Sequence, residues 1–170
     1  AAEPLRLTNG EHDISPAWSP DGKTVAFLRR NNGRFSIFLI PALGGAERKL
    51  CDLYSEHAVG LTWSPNGRSL AVTDLPEPQD KIRGIVMIDA ANGERRVITR
   101  PTGDSYGDFK PSFSNDSRSI AFSREINANS SIVVYDTVLE KEDPVAQEST
   151  FVQSIVWAPN DAELIYSAKR

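Results

Sequence analysis

Short apolar runs separated by polar turns follow one another along the whole chain, and no stretch of ten residues has a helical period. Thr24 to Leu28 is followed, after Asn31-Asn32-Gly33, by Ile37-Phe38-Leu39-Ile40. The second run lacks polar alternation, and its slot is filled again by Ile85-Val86-Met87-Ile88 and Ile132-Val133-Val134-Tyr135. A short uninterrupted apolar run bounded by turn residues predicts a strand covered on both faces. Each of the first two runs leads through a turn (Pro41 to Gly45, Asp89 to Gly93) into a charged segment. Glu47-Arg48-Lys49-Leu50 and Glu94-Arg95-Arg96-Val97 suit outer strands, where charge discourages stray edge pairing.

These runs belong to a repeat. Trp18-Ser-Pro-Asp-Gly-Lys-Thr-Val-Ala-Phe27 returns as Trp63-Ser-Pro-Asn-Gly-Arg-Ser-Leu-Ala-Val72, then as Phe113-Ser-Asn-Asp-Ser-Arg-Ser-Ile-Ala-Phe122 and Trp157-Ala-Pro-Asn-Asp-Ala-Glu-Leu-Ile-Tyr166. In Ser-Pro-Asp-Gly, proline presets φ and glycine supplies the positive φ that closes a hairpin. The third copy, Ser114-Asn-Asp-Ser117, lacks both and predicts a less regular turn. A unit of four short antiparallel strands recurring every 44 to 50 residues predicts β-propeller blades. The fold class is therefore all-β. Within a single domain over 1–170, blades are expected at 13–52, 58–99 and 108–148, with a partial one at 152–170. Leu5–Thr8 reads as the outer strand of a preceding blade, giving fifteen strands and an incomplete propeller, either part of a larger one or half of a ring completed by a second chain. The recurring aromatic (Trp18, Trp63, Phe113, Trp157) is expected to pack between adjacent blades.

Composition narrows the function classes only a little. The 170 residues carry a formal net charge of −4, which gives no electrostatic footprint for nucleic acid. No apolar stretch is long enough for a membrane helix, and no signal peptide is visible at the start. The single Cys51 excludes an internal disulfide or a Cys-rich zinc site.

The pattern Asp13-x-x-Pro16-x-Trp18-Ser-Pro-Asp-Gly-x-x-x-Ala26-Phe27, followed by Ile37-Phe-Leu-Ile and Gly-Gly-Ala-Glu-Arg-Lys-Leu50, resembles the WD40-like repeat of TolB-type β-propellers. The third unit repeats its opening as Asp108-Phe-Lys-Pro111-Ser-Phe113-Ser, while the second and fourth lack the leading Asp and the Pro. The resemblance covers essentially the whole chain. It implies a non-catalytic propeller that binds a protein or peptide, as TolB binds a lipoprotein partner and peptides. It favours a periplasmic location, with a cytoplasmic one as the alternative. Similar repeats form the C-terminal half of bacterial winged-helix regulators, which implies a sensor or scaffold part of a larger bacterial protein. The alternative is a propeller accompanying a hydrolase.

Candidate chemistry is sparse. Gly103-Asp-Ser105-Tyr-Gly107 has the Gly-x-Ser-x-Gly spacing of a nucleophile elbow, but both histidines, His12 and His57, precede it and no helix is expected after it. No catalytic residue, metal site or cofactor is assigned. In a propeller the innermost strands line the channel, and the loops entering them form one rim, which would carry His12, Asp13, Glu56, His57, Tyr106 and Asp108. Concave mouths with convergent polar groups are where ligands bind. Asp13 and Asp108 also admit a purely structural reading, as caps for the backbone of the turns entering their strands.

Overall fold

The computed structural model describes residues 5–169. Ala1–Pro4 and Arg170, at the two ends of the expected 1–170 domain, lie outside the described residues. Fourteen strands form four antiparallel sheets, and none of the described residues is helical. The first sheet comprises β1 (Asp13–Trp18), β2 (Thr24–Asn31), β3 (Arg34–Pro41) and β4 (Arg48–Asp52) in that spatial order. The second comprises β5 (Val59–Trp63), β6 (Ser69–Asp74), β7 (Gly84–Asp89) and β8 (Arg95–Val97). The third runs β9 (Ser105–Phe113), β10 (Ser119–Ile126), β11 (Asn129–Asp136) and β12 (Lys141–Glu148). The fourth has only β13 (Val152–Trp157) and β14 (Leu164–Ala168).

The order within each sheet and the contacts between sheets identify an unclosed propeller. First strands of successive sheets adjoin, β1 on β5, β5 on β9 and β9 on β13, so they are innermost. On the outer side, neighbouring sheets meet through longer side chains. Arg48 donates to the carbonyls of Ala90 and Ala91, and Arg96 pairs with Glu140 at 2.6 Å. The core lies between sheets. Ala26, Leu28 and Ile37 of the first sheet meet Leu70, Val72 and Ile88 of the second, sealed by the linker residue Leu53. Phe122, Ile120 and Val133 pack with Ile85 and Ala71 at the next junction. The apolar runs β7 and β11 are covered on both faces because their sheets each have two neighbours, and β3 is covered on its second face by Leu7 with Val25 and Phe27.

Three expectations need correction. Leu5–Thr8 forms no strand. An outer strand needs a third strand to pair with, and no sheet among the described residues precedes β1, so Leu7 instead packs on Val25, Phe27 and Ile40. The expected fifteen strands are therefore fourteen.

Trp18 has no second sheet beside it among the described residues. It is 60% exposed, whereas Trp63 and Trp157 each reach across a junction, Nε1 donating at 3.0 Å to the Ala17 and Ser112 carbonyls respectively.

The turn in the third sheet is as regular as the others. Ser114 Oγ donates to Asp116 at 2.6 Å, as Ser19 donates to Asp21 at 2.6 Å and Ser64 to Asn66 at 2.8 Å. The Ser117 N–H closes on the Ser114 carbonyl at 2.9 Å, as Gly22 closes on Ser19 at 2.9 Å. Ser117 accepts the left-handed φ of 63° that Gly22 and Gly67 hold at 69° and 72°. In return its side chain gains a neighbour, since Ser117 Oγ accepts the Asn66 N–H of the preceding turn at 3.1 Å. Asp161, at the same place in the fourth sheet (φ 56°), accepts from the Asn115 and Asp116 N–H groups at 2.7 and 3.0 Å. Losing the glycine costs backbone strain and creates a bond between turns.

Candidate functional site

The loops entering the innermost strands and the turns leaving them lie at opposite ends of those strands, and the two ends spend their polar side chains differently. At the turn end, Ser19, Ser64 and Ser114 and the acidic or amide residues two positions later are all consumed by internal hydrogen bonds. At the loop end, the side chains of His12, Glu56, His57 and Tyr106 are exposed and make no hydrogen bond to another described residue.

What holds this end in shape is a repeated local device. Ser55 Oγ accepts the His57 N–H at 3.0 Å, and Ser105 Oγ accepts the Gly107 N–H at 3.1 Å. Such hydroxyl turns fix the residue between them at a tip, so Glu56 and Tyr106 are presented from equivalent places. Glu11, which precedes His12 in the first loop, stands at the same repeat position and is exposed too. The sequence reading passed over it, although its offset of two residues from Asp13 matches that of Tyr106 from Asp108. The same geometry disposes of Ser105 as a nucleophile. Its side chain is spent on the Gly107 N–H and on the Glu125 carbonyl, 3.2 Å away.

Asp13 and Asp108 serve a different purpose from the residues beside them. Asp13 receives two bonds from Arg29, at 2.7 and 2.8 Å, and Arg29 also grips Glu47 at 2.5 and 3.0 Å. Asp108 receives two from Arg124, at 2.7 and 2.8 Å, and Arg124 grips Glu142 at 2.7 and 3.0 Å. Each network joins the first, second and outer parts of one sheet through a bidentate fork. The fixed steps of sixteen and eighteen residues between members are the sequence signal that the reading missed.

The second sheet reverses the signs. Ala58 replaces the aspartate, Asp74 replaces the arginine, and Arg95 takes the register of Glu47. Asp74, fully buried, accepts Arg95 at 2.8 Å and the N–H groups of Tyr54 and Ser55 at 3.1 and 2.7 Å. Arg95 stacks 4.1 Å above the Tyr54 ring. This network anchors the base of the loop that carries Glu56 and His57.

Electrostatics follow burial. The Arg29 guanidinium holds the Asp13 carboxyl below its usual range, whereas complete burial pushes the Asp108 carboxyl up against the pull of Arg124. Both arginines are held above their ordinary value by their carboxylate partners. Glu125, opposite Gly107, is lifted by burial, with Lys110 and Arg83 opposing.

The six rim candidates thus divide. Asp13 and Asp108 are internal, while His12, Glu56, His57 and Tyr106 face outward. An open cleft of about 760 Å³ places His12 beside Glu11, Arg29 and Glu47 but includes none of Glu56, His57 or Tyr106. His12 and His57 share no hydrogen bond, and among the described residues no three His, Cys, Asp or Glu side chains are grouped to hold a metal. No helix among the described residues is long and apolar enough to cross a membrane.

Residues 5–170 match the family model of the TolB beta propeller domain. Over 46 residues the chain is 41% identical to the Tol-Pal system protein TolB of Zymomonas mobilis, a match spanning 26% of this chain and 10% of that protein. The crystal structure of TolB from Acinetobacter baumannii superposes with a TM-score of 0.72 at 19% identity, over 91% of this chain and 37% of the other. An oligogalacturonate lyase from Vibrio parahaemolyticus superposes at 0.69 and 12% identity, over 90% of this chain and 44% of the lyase. At these identities both structures speak for the fold alone.

Proposed function

Because the chain belongs to the TolB beta propeller family, we propose that it is a non-catalytic binding module whose loop end takes a protein or peptide partner. The observation that carries this reading is the contrast between the two ends of the innermost strands. One end leaves Glu56, His57, Tyr106 and His12 exposed with their hydrogen-bonding capacity unspent; the other consumes its polar groups internally. Recognition surfaces favour rigid presentation, because ordering mobile groups subtracts from affinity. Here the tips are fixed by the Ser55 and Ser105 hydroxyls, and the loop before β5 is anchored by Asp74. Asp13 and Asp108 act in this reading as braces rather than contacts. A partner protein is also what the Tol-Pal system relative offers by analogy, and a role as the sensor or scaffold part of a larger bacterial protein is consistent with it.

The test is selection from a displayed library of unstructured peptides, with calorimetry on the peptides retained. Tyr106→Ala and Glu56→Ala should each weaken a genuine rim ligand, the tyrosine by about tenfold or more if it is an anchor. Asp21→Ala, at the turn end, should leave binding unchanged. Peptides that bind equally well to the two rim variants but not to Asp21→Ala would place the site at the wrong end.

A further inference from the structure

The turns that leave the innermost strands are tied to one another at two of the three junctions, and the tie is a side chain supplied by the later sheet. At the second junction Ser117 Oγ takes the Asn66 N–H at 3.1 Å; at the third the Asp161 carboxylate takes the Asn115 and Asp116 N–H groups at 2.7 and 3.0 Å. These bonds, that from the Asn115 N–H first, hold the Asp161 carboxyl below its ordinary range. At the first junction the same position is Gly67, which has no side chain to offer. The Asp21 N–H, equivalent to those of Asn66 and Asp116, takes no acceptor from another described residue.

The outer side of the first junction lacks a carboxylate as well. Arg48, opposite Leu39, and Arg96, opposite Met87, share one register position. Arg96 pairs with Glu140 of the third sheet, whereas Arg48 meets, among the described residues, only the carbonyls of Ala90 and Ala91 at 3.2 and 3.4 Å. Gly93 stands in the second sheet where Glu140 stands in the third, in turns opened alike by Asp89 and Asp136. Two glycines thus leave the Asp21 N–H and the Arg48 guanidinium without the acceptors that their equivalents have. An open cleft of about 660 Å³ lies at that place, lined by Asp21 and Arg48 together with Leu39, Trp63 and Pro65. Both of its walls are four-stranded sheets of this chain.

We propose that this cleft binds a small organic acid, whose carboxylate takes the Asp21 N–H under the positive charge of Arg48 while its apolar body lies along Trp63 and Leu39. The third junction shows that the position tolerates a carboxylate. Asp116, like Asp21, folds its own carboxylate back onto the serine of the turn, at 2.6 Å in each, and its N–H still receives Asp161. Pro20 has no N–H where Asn115 has one, so the second contact falls to Arg48. Small-ligand sites have volumes of ~300–1,000 Å³ and combine an apolar lining with a few fixed polar groups, and this cleft meets both descriptions. It lies at the turn end, opposite the rim proposed above, so the two readings fail separately.

Nuclear magnetic resonance of the isotope-labelled chain, titrated with phenylacetate, tests this. The Asp21 amide and the Trp63 indole N–H should shift saturably with phenylacetate and stay in place with phenylacetamide, which has the same body and no charge. Gly67→Asp should abolish the response, because it sets the chain's own carboxylate where Asp161 sits one junction on. A Cβ at Gly67 meets nothing nearer than Pro20 at 3.7 Å, and the left-handed φ of 72° is close to the 56° that Asp161 holds. Arg48→Gln, an exposed change that leaves the fold alone, should weaken the affinity by about twofold to fivefold. The proposal is overturned by the absence of a saturable shift, by an equal response to phenylacetamide, by a response undiminished in Gly67→Asp, or by unaltered affinity in Arg48→Gln.

Discussion

Asp13 and Asp108 occupy one repeat position and grip one kind of partner, yet burial separates their titration. The Asp13 carboxyl titrates below its unfolded value, near ~3.9 for an aspartate. Its contribution to stability is therefore complete above that value and is lost as pH falls through the lowered folded one. Asp108 runs the other way, because its raised value favours the fold below the ordinary range and less so as pH rises through it. The stability gap between the wild type and Asp13→Asn should consequently be widest at neutral pH and close as the solution is acidified. Urea titrations at a series of pH values would show this, and a gap that does not change with pH would refute the assignment.

The tryptophans make a second comparison at this scale. Trp63→Ala removes a packed ring and its bond to Ala17, at a cost of about 3 kcal/mol, the low end for a tryptophan because the residue is only half-buried. Trp18→Ala, where the ring is 60% exposed, should stay within about 0.5 kcal/mol. Equal losses at the two positions, measured by chemical denaturation, would mean that Trp18 is packed as Trp63 is.

Hairpins show how local chemistry and repeat position interact. Asn32-Gly33 links β2 to β3 as a two-residue turn with positive φ at both residues, the twist-matched form for a tight hairpin. The equivalent turn between β10 and β11 is Asn127-Ala128, where alanine holds a φ of 64°. A left-handed alanine costs roughly 1–2 kcal/mol, and glycine gives part of that back in unfolded-state entropy. Ala128→Gly should therefore stabilise the protein by about 0.5–1 kcal/mol, read as a shift in the denaturation midpoint at constant slope.

The turn chemistry after each recurring aromatic was legible because proline, Asp or Asn, and glycine have fixed conformational meaning. Ser117 and Asp161 were not legible as gains. Their value lies in a bond to the preceding sheet's turn, and a single turn read alone shows only a missing glycine. The charge networks were hidden for a related reason. Asp13 is recognisable beside its proline, but Arg29 and Glu47 acquire meaning only when register brings three parts of the sheet together. Leu5–Thr8 shows the converse, since its alternation is real but a strand exists only where a neighbour can pair with it.

For the molecule as a whole, stability should be graded along the array, because repeat architectures draw it from each unit and its nearest neighbours. The fourth sheet has two strands and one neighbour, and most of Leu164–Ala168 is exposed. The second sheet lies between two others, with Leu70–Asp74 wholly buried. Amide hydrogen exchange of the dilute chain should reach β14 well before β6 and β7. Uniform protection across all four sheets would indicate that the array unfolds as one unit.

The charge networks also bear on how such a molecule can be rearranged. Each one closes within a sheet or with the linker that enters it: Asp13 with Arg29 and Glu47, Asp74 with Arg95, Asp108 with Arg124 and Glu142. The reversed signs in the second sheet never meet the others. A sheet can therefore be duplicated, deleted or traded as a cassette without orphaning a buried charge, the one cross-sheet pair, Arg96 with Glu140, being exposed, whereas Asp74→Arg alone would set two cations against each other in a buried place. Modular exchange is permitted where point substitution is forbidden, and that asymmetry lets neighbouring units diverge while the architecture persists.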